Sequence, residues 1–418
     1  MTQVSGDPRP LPGALLMRTL SRGSHRGGQV LVLLAILVFA LSLRAAVTSL
    51  TPLLGRVSDD LGFGNAAIGA IGMLPTLMFG VAGLVGAGLG RRFGLEIATV
   101  GAVIVTAAGT GLRGLAGDTW SLMALSAVAL FGMGLGNVLI PPLVKRYFPH
   151  RIAASSTAYI LCVQLGTTVP AALAVPAADA AGWRWALAGW AAIPLLALVP
   201  WIAVARRRRA ETSGEIETAA TPRLPVWRSP IAWGLVFLFG MTSLMTYSLL
   251  TWIPELLADA GADDALGGAA VAAFAGVGFL ATFVAPWLCL RFANPYGFIV
   301  GFAACMLSGL AGLYWAPLTG TIAWVLLAGL GVSSFPMALT LINVRTRTAA
   351  GSASLSGFGQ GLGYLLACAG PLLFGILREV SGGWGLSLSL LVVATCLMLI
   401  GGYVICRPRF LEDSLPAV

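Results

Sequence analysis

The sequence predicts an all-α membrane protein of twelve transmembrane helices, arranged as two pseudo-symmetric six-helix bundles. Three observations carry that prediction. Of 418 residues, 58% are hydrophobic and 10% charged, against about 25% charged in a soluble domain. The apolar residues fall into twelve runs, each near the ~20 residues a bilayer crossing needs. The only long interior polar stretch follows the sixth run, leaving six on either side. Glycine and proline are abundant, but scattered through the apolar runs. There glycine permits close helix contact and proline breaks helices near cavities.

The elements follow in order. Residues 1–28 are polar, basic and rich in Pro and Gly, and read as a disordered cytoplasmic tail; the run behind them is too long for a secretory h-region. The N-terminal bundle occupies 29–205, with spans 1 to 6 near 30–54, 66–89, 96–115, 119–143, 152–178 and 184–205. A cytoplasmic linker, 206–229, opens on the Arg206–Arg209 run. The C-terminal bundle occupies 230–406, with spans 7 to 12 near 230–254, 266–290, 296–316, 320–342, 352–377 and 385–405, and 407–418 form a cytoplasmic tail. Residues 206–228 are also expected to lack fixed structure.

Loop charge sets the orientation. Twenty of the 25 basic residues lie on one side, only Arg56, Arg113, Arg184 and Arg378 on the other, and Arg44 within span 1. The basic side is therefore cytoplasmic, with both termini inside a multi-pass protein of the cytoplasmic membrane. The lipid bilayer is its surroundings, and the net charge of +9 reports topology, not nucleic-acid binding.

The two halves repeat. "RIAASSTAYILCVQLG" leading into span 5 lies over "RTAAGSASLSGFGQGLG" leading into span 11. Arg151, Ala153 and Gln164 match Arg347, Ala349 and Gln360 at a constant offset of 196. The following turns read "AGWRW" and "GGWGL", and "LTPLL" ending span 1 resembles "WIPELL" ending span 7. Parallel six-helix repeats are a transporter architecture.

Arg44 is the anomaly. It lies 18 residues from Arg26 and 12 from Arg56, roughly 27 and 18 Å along a helix, beyond the reach of snorkelling. A central Arg costs about 2.5–3.5 kcal/mol on insertion scales. Either it meets an electronegative group of a substrate, or carbonyls and hydroxyls hold it as a structural clamp. The usual partner is missing: Glu96 and Glu255 sit at span ends, and no Asp or Glu lies within a span.

Other spans supply polar positions. Thr48 lies one turn beyond Arg44 on the same face. Span 7 carries Ser243, Tyr247 and Thr251 at every fourth residue, with Trp252 beside them and Pro254 ending the helix. Span 11 carries Ser352, Ser356, Gln360 and Tyr364 at the same spacing. Span 5 offers Ser156, Tyr159 and Gln164, and Asn137 precedes a Pro141–Pro142 break in span 4. A lone Ser or Gln in a span is often interhelical glue; two pseudo-equivalent glutamines and an unpaired Arg favour a site. The Gly132-x-Gly134-x-Gly136 and Gly357–Gly363 series read as packing or sliding surfaces.

With these residues in view, the chain resembles a permease of the major facilitator superfamily, and within it the cyanate/nitroimidazole transporter (CynX/NimT) branch. The resemblance rests on "LSLRAAVTSLTPLL" in span 1, "RRFGLE" between spans 2 and 3 and "GMGLGNVLIPPLVKRYFP" in span 4. "GWRWAL" before span 6 and "YSLLTWIPELLADAG" in span 7 add to it. It implies a cavity lined by spans 1, 4, 7 and 10, with 5, 8 and 11 beside them, where the polar stripes converge. The superfamily's loop between spans 2 and 3 usually reads G-x-x-x-D-R-x-G-R-R. Here Ala87 replaces the first Gly and Arg91 the Asp, so gating falls to Arg91, Arg92 and Glu96. "GTTVP" in span 5 departs from the G-x-x-x-G-P of proton antiporters.

The expected function is secondary active or facilitative transport of a small anion or compact polar or nitroaromatic solute by alternating access. Arg44 binds its negative or nitro group, Tyr247 and Trp252 cover its face, and Gln164 and Gln360 bond it from opposite halves. A multidrug efflux pump of the same fold is the alternative; it calls for an intramembrane carboxylate. A membrane enzyme is disfavoured by two histidines, His25 and His150, both outside the spans. Six cysteines without ligand or disulfide spacing read as packing, so no metal or cofactor is expected. A monomer is expected.

Overall fold

An apolar chain in lipid must pair every backbone amide within its own segment, which makes helix the solution for each crossing. The computed structural model describes residues 28–63, 65–212 and 224–414, and in them the regular elements are α-helices and short 3-10 turns. Eleven helical runs are long and apolar enough to cross a membrane. One of them, Ile152–Ala210, has 59 residues, which is about 88 Å of helix against a hydrocarbon core of about 30 Å. It holds spans 5 and 6, joined at Gly182, whose φ of 80° and ψ of 157° no helix adopts. The twelve crossings are present.

Span 1 (Gly28–Leu61) is helical but broken. Its first helix ends at a turn over Leu43–Arg44, a short helix covers Ala45–Thr48, and a 3-10 turn at Thr51–Leu53 leads into a helix over Leu54–Leu61. Span 10 (Thr321–Val344) is likewise split, at Val332–Ser333. Span 4 corrects the sequence reading: its helix runs unbroken from Thr119 to Tyr147, straight through Pro141 and Pro142. A proline inside a helix withholds one amide from the carbonyl four residues back, so the carbonyls of Asn137 and Val138 need outside donors. Gln360 Nε2 donates to Asn137 O at 3.2 Å and Ser356 Oγ to Val138 O at 3.0 Å, both from span 11 of the other half.

The repeat is visible at the ends opposite the termini. In the first half Asp60 accepts from Trp183 Nε1 at 3.0 Å and Arg184 Nη1 at 2.8 Å, with Arg184 lying over the Trp183 ring. In the second, Asp259 accepts from Trp384 Nε1 at 3.1 Å and from Arg378, which lies over the Trp384 ring. The same carboxylate–indole–guanidinium lock closes each half from within.

Arg113, counted by sequence as an outer loop residue, is instead fully buried at the end of span 3. The helix of span 6 runs on to Thr212, so Arg206–Arg209 is helical, unlike the expectation for the linker. The expected N-terminal tail, apart from Gly28, lies outside the described residues, as do residues 213–223 of the linker. Leu224–Ser229 forms a 3-10 turn at Val226–Arg228, and Ser229 Oγ caps span 7 by accepting from Ile231 N. The C-terminal segment is tied down through Ser414. Glu412 accepts from the amides of Arg347 and Thr348, Asp413 pairs with Arg347, and Leu411 N donates to Arg345 O.

Close helix approach rests on glycine. In span 4, added β-carbons would strike Thr106 of span 3 from Gly132, Ala82 of span 2 from Gly134, and Leu43 of span 1 from Gly136. Residues two apart point to nearly opposite faces of a helix, so in span 11 the targets alternate. Gly357 and Gly361 meet span 2, while Gly359 and Gly363 meet span 7. The tightest point is Gly166 of span 5, where a β-carbon would lie 1.9 Å from Leu41 O of span 1. Gly166→Ala is therefore expected to lower the melting temperature in detergent, by an overpacking cost on the order of 1–3 kcal/mol. Gly101→Ala, with nothing within 4 Å of the added carbon, should leave it unchanged or higher.

Candidate substrate site

The break in span 1 determines how Arg44 is presented. Arg44 precedes the short helix with φ −127° and ψ −12°, so its side chain leaves a turn rather than a helix face. Its guanidinium crosses to the second half: Nη1 donates to the Tyr247 hydroxyl at 2.5 Å and Nη2 to the Tyr364 hydroxyl at 3.1 Å. It also lies 5.2 Å from the Phe79 ring centroid, within cation–π range. Phe79 and Phe239 fix the Tyr364 ring edge-on at 5.3 and 4.8 Å. Among the described residues no carboxylate pairs with Arg44. Each phenol oxygen accepts from Arg44 and keeps its own proton to donate. The group thus offers a positive charge and two O–H donors. Tyr159 of span 5 is buried.

The other expected site residues divide. Thr48 Oγ1 bonds Arg44 O at 3.2 Å and Thr251 Oγ1 bonds Tyr247 O at 2.8 Å, each spent on its own helix backbone. Trp252 does not cover the site. Its Nε1 donates to Pro371 O at 2.9 Å and its ring packs on Phe374 and Trp384, inside the second half. Gln360, 1% exposed, donates to Asn137 O and to Ser356 Oγ, so its amide protons serve the seam with span 4. Gln164 is half-buried. Asn137 Nδ2, Ser156 Oγ and Ser243 Oγ are buried donors without a protein partner on the helices that converge here.

Glu96 is buried, but the partners holding it are Arg146 Nη1 at 2.9 Å and the Tyr147 hydroxyl at 2.8 Å, all within the first half. Arg91 and Arg92 are exposed, Arg92 lying over the Phe93 ring. A basic residue that bridges the halves on the terminus-bearing side is Lys145, which the sequence reading missed. Its Nζ donates to Asn343 O at 2.7 Å and to Thr346 O, carbonyls at the end of span 10. Helix C-termini leave such carbonyls without intrahelical partners. The signal in sequence was a Lys three residues after Pro142, at the end of a span expected to line the cavity.

A sequence profile of the Major Facilitator Superfamily matches residues 32–375. The chain belongs to that superfamily. It is 33% identical to the 2-nitroimidazole transporter of Escherichia coli strain K12, over 94% of this chain and 98% of that protein. It is 26% identical to the cyanate transport protein CynX of the same strain, over 84% and 91%. It is 31% identical to the uncharacterized transporter YycB of Bacillus subtilis strain 168, over 91% and 94%. This superfamily member is therefore of the cyanate/2-nitroimidazole type, a membrane transporter and not an enzyme. In fold it matches the proton:xylose symporter XylE, with a TM-score of 0.72 at 13% identity over 93% of this chain and 98% of that one. It also matches FucP in the outward conformation, with a TM-score of 0.63 at 13% identity over 90% and 98%.

The seam between spans 4 and 11 has a test built into its chemistry. Gln360→Leu leaves Asn137 O buried without a donor, a loss on the order of 1–3 kcal/mol. Pro141→Ala returns the intrahelical donor. The double variant should therefore melt well above the sum of the single effects, as a coupled pair does. Strict additivity of the melting shifts would show that the freed carbonyl is not what Gln360 serves.

Proposed function

We propose that this transporter moves a small anion or compact electronegative solute, cyanate-like or nitroimidazole-like, across the cytoplasmic membrane by alternating access. Both termini are cytoplasmic and the unit is a monomer. The observation that carries this reading is the Arg44–Tyr247–Tyr364 group: a cation without a carboxylate, spanning the two halves and presenting donors only. Such a set suits an acceptor-rich, negatively polarised group, and its members come from helices that must separate when the halves rock. A planar guanidinium matches carboxylate-like or nitro oxygens in a way an ammonium does not. The names of the 2-nitroimidazole and cyanate relatives agree in chemical class. Efflux of cationic drugs is not favoured, since Glu96 is already held by Arg146 and Tyr147.

Arg44→Gln should abolish binding of cyanate or 2-nitroimidazole while leaving the melting temperature equal or higher, because a half-buried charge without a carboxylate is removed. Arg44→Lys should keep the charge yet lose at least tenfold in affinity. Wild-type affinity in a stable Arg44→Gln protein would sink the substrate role, and unfolding of both variants would make Arg44 a structural clamp.

Topology is tested separately. Cysteines placed at Asp60 and Arg208 should label from opposite faces of the membrane, Arg208 from inside. Labelling of both from one side would refute the orientation.

A further inference from the structure

Arg113 is a second guanidinium that no carboxylate pairs among the described residues, and unlike half-buried Arg44 it is fully buried. Its residue is 0% exposed. Nη1 donates to Ala46 O at 2.8 Å, and Nη2 reaches Ser49 Oγ at 3.5 Å. Ala46 O is free to accept because the break in span 1 sends Leu50 N to Val47 O instead. Two polar atoms here have no partner at all. Arg113 Nε and, from span 4, Ser126 Oγ are both buried without a partner. Both residues line one cavity of about 40 Å³, together with Ala46, Thr51 and Pro75, and no acidic residue lines it. Thr51 and Gly72, also in its wall, are exposed, which supplies a way in.

Buried polar groups are normally paired, and a buried cation needs a counter-charge or a dense set of acceptors. The two unpaired groups are an N–H and an O–H, so the missing partner is an acceptor. About 10–15 Å³ of such space holds one water, so the cavity admits one or two small species and excludes a ring. Water would satisfy the hydrogen bonds and leave the charge of Arg113 standing; a monatomic anion answers both. We propose that Arg113 and Ser126 form a site for a halide ion of chloride size, inside the first half and against the broken segment that presents Arg44. The bound halide neutralises Arg113 and braces the Ala45–Leu50 segment. This site does not depend on what Arg44 binds.

The test uses the purified full chain in detergent at constant ionic strength, with gluconate replaced stepwise by chloride. Ligand that binds the folded state raises its stability by mass action, so the melting temperature of the wild type should climb with each tenfold rise in chloride. Arg44→Gln should show the same climb. Ser126→Val, which fills the cavity and removes the hydroxyl, should show a flat response. Should that variant fail to fold, Ser126→Ala should require several-fold more chloride for the same shift. A flat wild-type response overturns the site. So does a chloride shift that survives Ser126→Val, or, where that variant does not fold, one that Ser126→Ala leaves unchanged. A shift lost in Arg44→Gln but kept in the Ser126 variant would place the halide at Arg44 and equally overturn it.

Discussion

Two carbonyls without amide partners organise this molecule. Pro141 and Pro142 remain within an unbroken helix, and the donors they withhold from Asn137 and Val138 are replaced from span 11, by Gln360 and Ser356. Span 4 belongs to the first half and span 11 to the second, so a local defect in one helix becomes a bond between halves. Such bonds require close backbones. Beside span 4, span 2 also meets span 11 closely, an added β-carbon on Gly83 falling 2.3 Å from the Gly361 α-carbon. Lys145 extends the seam to the ends of spans 4 and 10. Among the described residues, every inter-half hydrogen bond lies at Arg44 or on the terminus-bearing side of it. On the opposite side, the Asp60 and Asp259 locks each stay within one half. By these hydrogen bonds the halves are joined on one face, and the locks on the other stay within each half.

That asymmetry has the energetics a rocking transporter needs. A hydrogen bond exchanged for water nets only about 0.5–1.5 kcal/mol, so the seam of carbonyl bonds opens more readily than a set of buried ion pairs. Ligand binding shifts such an equilibrium only by its differential affinity for the two states. The Asp–Trp–Arg locks, by contrast, tie helix ends together inside a half, and under the proposed alternating access would keep each bundle rigid while the seam changes. Arg44 sits where the two regimes meet. It is carried by the first half, and its hydroxyl partners are carried by the second.

The sequence made some of this legible and hid the rest for physical reasons. Arg44, Tyr247 and Tyr364 could be found because a lone charge in an apolar run and phenols on polar stripes at fourfold spacing are visible in one dimension. Gln360 and Trp252 stood out by the same criteria and serve elsewhere. A stripe shows that a face is polar, not whether it meets a cavity or a neighbour's backbone. The Pro141–Pro142 pair was visible too, but read as a break. Its outcome depended on donors more than 200 residues away. Arg113 was miscounted as a loop charge because it stands at the end of its apolar run, where order along the chain gives no sign of depth. The matching "AGWRW" and "GGWGL" turns were readable, yet their aspartate partners were not, since Asp60 and Asp259 belong to other hairpins.

The distribution of charge explains why so apolar a protein tolerates a half-buried arginine within a span. A carboxylate beside Arg44 would neutralise it permanently and compete with any anion for the same donors. Hydroxyls and an aromatic face stabilise the guanidinium less completely, and they leave its net charge in place. Under the proposed function the cost falls on the empty state, and a negatively polarised ligand would relieve it. Tyr247 and Tyr364 therefore hold Arg44 in position without satisfying it. Because both phenols belong to the other half, the charge is best supported when the halves are together, so under the proposed function ligand occupancy and closure around Arg44 would favour one another.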